Sequence, residues 1–184
     1  MAKKLKGKEW YKLLAPDIFG KKLLGETPVG DPEYLKNRVV SASLITLMND
    51  PSKYYFKFNF KVTDVKEKSA LTEFWGFECL RDYISRMVRH GVLRIDNVAD
   101  ISTNDGTKLR VKTLTLTSKK AKKEVELALR KFIKEKLEEK ISKMSLENFI
   151  QGVLDDSIKR SIISEGSKIY PIYNFEMRKV ERLG

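Results

Sequence analysis

The sequence predicts an α+β fold in which strands dominate the first part of the chain and helices the second. Aromatic residues alternate with polar ones from Tyr54 to Val65, which is the period of a half-buried strand. Apolar residues recur every three or four positions over 119–143, as in an amphipathic helix. A short segment that follows Pro171 indicates a last strand. We therefore expect a curled, β-barrel-like, mostly antiparallel sheet with helices, a helical C-terminal half and a closing C-terminal strand.

Length and composition are those of a single domain with an appended arm. The chain has 184 residues, of which 41% are hydrophobic, enough for a core. Residues 1–8 are basic and small, and we expect them to form a disordered N-terminal arm. A single α+β domain then covers 9–184. Its parts are a β-rich region at 9–117, a helical region at 118–167 and the closing strand at 171–182.

Cysteine content and hydropathy indicate the compartment. Cys79 is the only cysteine, so no intrachain disulfide can form, which favours a reducing environment. No apolar run approaches the roughly 18 residues that span a bilayer. The first residues lack the apolar stretch that follows the charges of a secretory signal. We expect a cytoplasmic protein that does not bind membranes.

The segments before residue 80 predict a short helix followed by strands. We expect a turn or two of helix over Glu9–Leu14, stopped at Ala15 because Pro16 follows. Strands are predicted over 21–29 and 38–47. In the strand at 54–65, one face carries an apolar set. That set is Phe56, Phe58, Phe60 and Val62. The segment 71–78 carries aromatic residues on both faces, which is typical of a strand covered on both sides.

A helix and a hairpin follow. Arg81–His90 has the pattern of a helix ended by a cap at Gly91. Residues 92–102 and 107–117 flank Asn104-Asp105-Gly106, and Asp-Gly adopts the positive φ of a tight turn at little cost. The second arm of this hairpin places three cations on one face. They are Lys108, Arg110 and Lys112.

The region from residue 119 onward predicts three helices and a strand. The helix at 119–143 has one apolar stripe. Its members are Val125, Ala128, Leu129, Phe132, Ile133 and Leu137. Ser145 caps a helix that runs to Leu154, and Asp155 or Asp156 caps another that ends at Gly166. The last strand covers 172–180.

The charge distribution is the main functional signal. The formal net charge is +12, and cations concentrate in the first 25 residues and in the Lys-Lys-Ala-Lys-Lys run at 119–123. Lysine and arginine displace the counterions condensed on phosphates, so this surface predicts binding to nucleic acid. After residue 124, glutamates offset the cations of the long helix, which favours a solvated face there.

Catalytic and cofactor patterns are weak in comparison. One histidine, His90, and one cysteine cannot build a zinc site of the finger or ribbon type. The spacing of Gly25 and Gly30 matches a phosphate-binding loop, but Asp31 occupies the position of its lysine. We therefore expect no metal, no cofactor, no small-molecule substrate and no catalytic residue.

Two alternatives remain open at this point. Asp64 and Asp96 lie in or beside strands, as do Asp100 and Asp105, so a metal-dependent RNA-processing enzyme is one alternative. In that case, mutation of Asp64 or Asp96 would abolish cleavage. The other alternative is an adaptor that binds an acidic protein through the basic arm.

Several ordered motifs resemble a known family. They are Trp10-Tyr-Lys-Leu-Leu-Ala-Pro-Asp-Ile-Phe19, Leu35-Lys-Asn-Arg38, Asn49-Asp50, Arg81-Asp82, Thr103-Asn-Asp105-Gly106 and Ile169-Tyr-Pro171-Ile-Tyr, with Met177-Arg178-Lys179-Val180 after them. In this order they resemble the archaeal and eukaryotic small-subunit ribosomal protein family S-one-e, also called S-three-A-e. The resemblance implies a non-enzymatic rRNA-binding component of the ribosome with a role in translation.

The resemblance also implies a location and partners. It implies a β-barrel with helices on the platform of the cytoplasmic small subunit, near the mRNA exit and the 3′ end of the rRNA. Implied partners are small-subunit rRNA, neighbouring platform ribosomal proteins and mRNA near the exit. We expect phosphate contacts from the basic side chains of the arm, the body and the last strand. They are Lys3, Lys4, Lys6, Lys8, Lys12, Lys21, Lys22, Arg81, Arg86, Lys108, Arg110, Lys112, Lys119, Lys120, Lys122, Lys123, Arg178, Lys179 and Arg182.

Overall fold

A computed structural model describes residues 7–48 and 50–183, except for the side chain of Ser52. The predictions for Lys3, Lys4 and Lys6 lie outside the described residues. The chain divides into two compact units, one ending at Glu78 and one starting at Cys79. Eight strands and five α-helices occur in the described part of the chain, which confirms the α+β class. The single-domain organisation of 9–184 stays a prediction.

Five strands and one short helix build the first unit. The strands are β1 (Glu9–Leu14), β2 (Leu23–Val29), β3 (Val39–Ser43), β4 (Phe56–Lys66) and β5 (Ser69–Cys79), and the helix is α1 (Leu44–Met48). Short 3-10 turns lie at Asp17–Phe19, Pro32–Leu35 and Pro51–Lys53. The strands are ordered β3-β4-β5-β1-β2. β1 is antiparallel to β2 and parallel to β5, and β3 is antiparallel to β4.

The helix predicted over Glu9–Leu14 is wrong, because this segment is strand β1. Tyr11 and Leu13 are buried whereas Trp10 and Lys12 are exposed, which is a period of two. Leu13 pairs with Gly25 of β2 and with Ala70 of β5, so the strand has neighbours on both sides. Six residues are too few for local periodicity to separate the two structures, and the long-range pairing decides.

The prediction for β4 is confirmed. The four residues assigned to its inner face are all buried, and Phe58 contacts the rings of Phe19, Phe74 and Phe77 with centroids 5.4–6.0 Å apart. In β5, alternate residues from Ala70 to Gly76 are buried and the residues between them are half-buried, as a strand covered on both sides requires.

The second unit contains an antiparallel sheet and four helices. Its elements are α2 (Arg81–Met87), β6 (Arg94–Ser102), β7 (Lys108–Thr117), α3 (Lys123–Ser142), α4 (Leu146–Leu154), α5 (Ser157–Gly166) and β8 (Ile172–Leu183). β7 lies between β6 and β8 and is antiparallel to both. The predicted hairpin is confirmed, with Gly106 at a φ of 78° in its turn.

The helices follow the predicted order with shifted ends. α2 ends at Met87, so His90 lies in a turn rather than in the helix. α3 begins at Lys123, which leaves Lys119–Lys122 in a loop. Its buried stripe is Leu129, Ile133, Leu137 and Ile141, whereas Ala128, predicted in the stripe, is exposed.

The caps of the later helices are partly as predicted. Ser145 caps α4 through its Oγ, which accepts the N–H of Asn148 at 3.3 Å. Asp156 occupies the N-cap position of α5 at a positive φ of 56°, without a side-chain capping bond. Gly166 is the last residue of α5 rather than a residue beyond it, and a Cβ there would lie 2.6 Å from Ile172 Cδ1. Close packing, not a turn, therefore favours glycine here, since a larger residue would displace the end of the Ile172 side chain.

The finer fold description is not confirmed. Within neither unit do the two outermost strands pair with each other in residues 7–48 and 50–183, so the barrel-like curl stays a prediction. The second half of the chain carries β6, β7 and β8 besides its helices, so the helical C-terminal half is not confirmed. Among the described helices, none combines the length and the apolar character needed to cross a bilayer.

Candidate nucleic-acid interface

The second unit brings three connections together at one end of its sheet. Thr117, the last residue of β7, donates its N–H to the carbonyl of Leu93 at 3.1 Å and pairs with Ile172 of β8. The N–H of Ser118 donates to the carbonyl of Pro171 at 3.0 Å. The connections at 88–93, 118–122 and 167–171 therefore lie side by side.

These connections and the end of α2 carry exposed cations. Met87 Sδ accepts a hydrogen bond from the side-chain amide of Asn174 at 2.9 Å, which places the last turn of α2 next to the start of β8. In the described part of the chain, the exposed cations of this region make no ion pair with a carboxylate. We call this set the basic end. Its members are Arg86, Arg89, Lys119, Lys120, Lys122 and Lys168.

The loop of the basic end is held by its backbone rather than by its charges. Thr117 Oγ1 donates to the carbonyl of Lys119, and the hydroxyl of Tyr170 donates to the carbonyl of Lys120 at 3.0 Å. The lysine side chains stay exposed. α3 starts directly after the loop, and the positive end of its dipole adds to the local potential, while Glu124 in its first turn offsets part of it.

The predicted cation face of β7 exists but is largely neutralised. Two nitrogens of Arg110 donate to the two oxygens of Asp100, each at 2.7 Å, and Lys112 Nζ donates to Glu181 at 2.8 Å. The bond from Arg110 lowers the pKa of the Asp100 carboxyl, and the bond to Asp100 raises the pKa of Arg110. Lys108, by contrast, is exposed and has no carboxylate partner among the residues described.

Of the three cations predicted on the last strand, Lys179 lies on this neutralised face. Lys179 pairs with Lys112 in register and donates to Glu181 at 2.7 Å. The bonds from Lys112 and then Lys179 lower the pKa of Glu181. Arg178 and Arg182 are half-buried, and Arg182 pairs with Leu109, so its side chain lies on the opposite face of the sheet. Lys179 and the three cations of β7 lie toward the far end of that strand, whose ten residues span about 30 Å, so they form a surface separate from the basic end.

Two further predicted cations flank the basic end. Arg81 opens α2 and is exposed, about 7.5 Å along the helix from Arg86. Lys123 opens α3 and donates to Glu126 at 3.1 Å, so its charge is partly compensated. Of the cations predicted in this part of the sequence, Arg81, Arg86 and the three loop lysines are therefore the ones best placed to meet phosphate.

In the first unit, the predicted cations are dispersed. Lys21 pairs with Asp17 at 2.9 Å, and Lys22 Nζ donates to the carbonyl of Leu47 at 2.6 Å. Lys8 and Lys12 are exposed and lack carboxylate partners in the described residues. Lys12 lies on the same face of β1 as Trp10, whose side chain is 61% exposed.

Sequence reasoning missed two of these side chains. The sequence places Trp10 in a short helix, whose outward face a six-residue pattern does not define. The structure places it in β1, and the pairing of this strand shows that the side chain of Trp10 faces outward. Lys168 follows α5 in a segment without charge clustering, and only the pairing of Thr117 with Ile172 brings it to the basic end. No local signal could have found Lys168.

The candidates for catalysis have structural partners. Asp96 receives two hydrogen bonds from Arg94, and Asp64 Oδ1 accepts the backbone N–H of Val65. No group of three or more His, Cys, Asp or Glu side chains suited to a metal occurs in the residues that the structure covers. Cys79 is buried, with its Sγ 3.4 Å from the carbonyl oxygen of Met177.

Comparison with known proteins gives one consistent result. The model of the ribosomal S3Ae family matches residues 1–184. The small ribosomal subunit protein eS1 of Methanopyrus kandleri is 39% identical, over 98% of this chain and 87% of its own length. The eS1 proteins of Archaeoglobus fulgidus and Methanothermobacter thermautotrophicus are 36% and 35% identical, over 96% and 95% of this chain and 84% and 89% of their own lengths.

These relatives are named as ribosomal proteins, which are structural components rather than enzymes. The match extends over the basic end, the β6–β7 hairpin and β1 alike, because it covers the whole chain. The chain belongs to the ribosomal S3Ae family.

Proposed function

We propose that this protein is a structural constituent of the small ribosomal subunit that holds folded rRNA by phosphate contacts, without catalysis. The observation that carries the proposal is the basic end, where six cations from three separate stretches of the chain lie near one another and lack carboxylate partners in the described residues. Gathering like charges is unfavourable for an isolated protein, and a polyanion that binds there offsets the repulsion. Family membership supports rRNA as that polyanion.

The contacts are of two kinds. The basic end and Arg81 grip phosphates from the folded second unit, with arginine suited to bidentate contact and lysine to point-charge contact. Lys3, Lys4, Lys6 and Lys8 contact the RNA from the N-terminal arm, and Lys12, Lys21 and Lys22 contact it from the folded first unit. Arg110, Lys112, Lys123 and Lys179 contribute less per residue, because carboxylates already hold them. Lys108 adds an exposed cation at the far end of β7, and Arg178 and Arg182 add half-buried ones on β8.

The location follows from the resemblance carried by the motifs of the sequence. The protein lies on the platform of the cytoplasmic small subunit, near the mRNA exit and the 3′ end of the rRNA, beside other platform proteins and within reach of mRNA. The barrel-like curl of its sheet provides the rigid body for these contacts.

The direct test is salt dependence of binding to small-subunit rRNA. The logarithm of the binding constant should fall linearly with the logarithm of salt concentration. The slope should be about −0.9 for each phosphate that the protein neutralises, if RNA helices behave as B-form duplexes do. The chain should co-sediment with small subunits and be released by high salt. A flat salt dependence, or association that survives complete RNase digestion, would overturn the proposal and favour an acidic protein partner.

A further inference from the structure

The outer face of β1 presents an aromatic ring between two cations. Trp10 and Lys12 alternate with the buried residues Tyr11 and Leu13, and Lys8 directly precedes the strand. All three outward side chains are exposed, and Trp10 keeps 61% of its surface in contact with solvent. Lys8 and Lys12 are about 13 Å apart along an extended chain, one on each side of the ring.

The two tryptophans of the chain differ in one respect that matters. Trp75 is half-buried and has the ammonium of Lys61 4.1 Å from its ring centroid, so one of its faces is covered. Trp10 makes no ring or cation contact within the described residues. What sets Trp10 apart is an open ring on a paired strand with a cation on either side, which leaves the ring available to a planar, anionic partner.

Charge and geometry select the occupant. Across β1, the neighbour of Trp10 on β2 is Pro28, which is also exposed and leaves the ring open above the sheet. An aromatic ring flanked by ammonium groups matches a nucleotide, whose base stacks on the ring while its adjoining phosphates meet the cations. A protein segment would satisfy the ring but would need acidic residues on both sides of it, whereas RNA carries a phosphate on each side of every base. Glu26, the register partner of Lys12, repels an anionic occupant of either kind and does not decide between them.

We propose that Lys8, Trp10 and Lys12 form a stacking site for one unpaired nucleotide of small-subunit rRNA, a claim that rests on the proposed function. The rigid strand holds the ring in place, because β1 is paired on both sides by β2 and β5. A base bound there is read by its π-face and not by its edge, so the site tolerates any base. Paired RNA cannot reach the site with its bases, which sets it apart from the basic end.

The first experiment measures binding of the full chain to an unstructured ten-nucleotide uridine RNA and to an RNA duplex. Trp10→Ala should weaken oligouridine binding about five-fold or more and leave duplex binding unchanged. Its salt slope should stay the same because no charge is lost, whereas Lys12→Gln should reduce the slope by about 0.7. Trp10→Phe should keep most of the affinity. Tyr34→Ala is the matched control, since Tyr34 is 79% exposed beside Asp31 and Glu33.

A second readout follows the ring directly. In a Trp75→Phe chain, Trp10 is the only tryptophan, and oligouridine should quench its fluorescence while duplex RNA and inorganic polyphosphate should not. In reconstituted small subunits, one unpaired rRNA nucleotide should be protected from base-modifying reagents by the unaltered chain and reactive with the Trp10→Ala chain, with or without added mRNA.

The outcomes separate this site from the proposed function. Unchanged oligouridine affinity in Trp10→Ala, or equal quenching by polyphosphate, overturns the stacking site even if rRNA binding stays steeply salt-dependent. Protection that appears only with mRNA overturns the rRNA assignment. Absence of any rRNA binding by the unaltered chain, with oligouridine stacking retained, overturns the proposed function instead.

Discussion

The guanidinium of Arg110 on β7 meets the carboxylate of Asp100 on β6 through two hydrogen bonds of 2.7 Å. The two residues are register partners, so the hairpin itself sets the pair. A cation that the sequence assigns to phosphate contact is therefore already held by an acid. The basic residues of the described chain therefore fall into two groups: those whose charge is held by a carboxylate, such as Arg110, and those without a carboxylate partner.

Release of Arg110 should strengthen RNA binding. Asp100→Asn removes the competing carboxylate, so we expect a several-fold gain in affinity for rRNA and a salt slope steeper by up to about 0.9. Glu135→Gln is the control, because it removes the same charge from an exposed pair with Lys131 on α3. Equal gains in the two variants would indicate a general effect of net charge and not a released contact.

Removal of the loop lysines should weaken binding more than removal of compensated ones. The triple variant Lys119→Gln, Lys120→Gln, Lys122→Gln should lose affinity and reduce the salt slope by about 2 to 3, because these side chains are exposed and unpaired in the described structure. The matched control changes Lys131, Lys134 and Lys143 to Gln, all exposed on or beside α3 and each near a glutamate.

Filter binding at several salt concentrations measures both slopes. A control triple that loses as much affinity as the loop triple would contradict the assignment of the basic end. Thermal unfolding of the two variants checks that neither loss reflects an unfolded chain.

The elements that local rules predicted correctly are those with a long periodic pattern or with a strong turn signal at their end. β4 alternates over eleven residues, and the β6–β7 hairpin turns at Asp105-Gly106, so period and turn chemistry suffice. β1 was missed because six residues fit either period, and its neighbours β2 and β5 come from elsewhere in the sequence. Local propensity is a weak prior when long-range pairing decides.

The site was predicted in composition but not in arrangement. The run at 119–123 is visible as charge, and four of its lysines were expected to contact RNA. This run lies near Arg89 and Lys168 only because Thr117 pairs with both Leu93 and Ile172, which are far away in sequence. Neutralisation of Arg110 and Lys112 depends in the same way on strand register. Charge counts contain none of this information.

Truncation of Phe58 should destabilise the first unit. Phe58 is fully buried and contacts five other rings, so Phe58→Ala leaves a cavity and should lower the free energy of unfolding by about 3–5 kcal/mol. Phe58→Leu should cost less because it refills most of the volume. Urea denaturation measures both, and a loss below about 1 kcal/mol for the alanine variant would contradict the packing described here.

Glu181 should make stability depend on acidic pH. Its carboxylate accepts hydrogen bonds from Lys112 at 2.8 Å and Lys179 at 2.7 Å, which lower its pKa in the folded protein. A carboxyl with a lowered folded pKa stabilises the fold above its unfolded pKa of about 4.3, and the contribution is lost as the pH falls through the folded value. Glu181→Gln should therefore melt about 1–2 °C below the unaltered chain at pH 6, because the pair is half-exposed and worth little.

The same difference should shrink as the pH falls through the lowered folded pKa of Glu181, because protonation removes the negative charge that its two lysines meet. Asp100, Glu139 and Glu165 also have lowered pKa values, but they are present in both proteins and cancel in the comparison. Melting curves of the two chains from pH 6 to pH 2 at fixed ionic strength measure the effect. A difference that stays constant over this range would mean that Glu181 acts through packing and not through its charge.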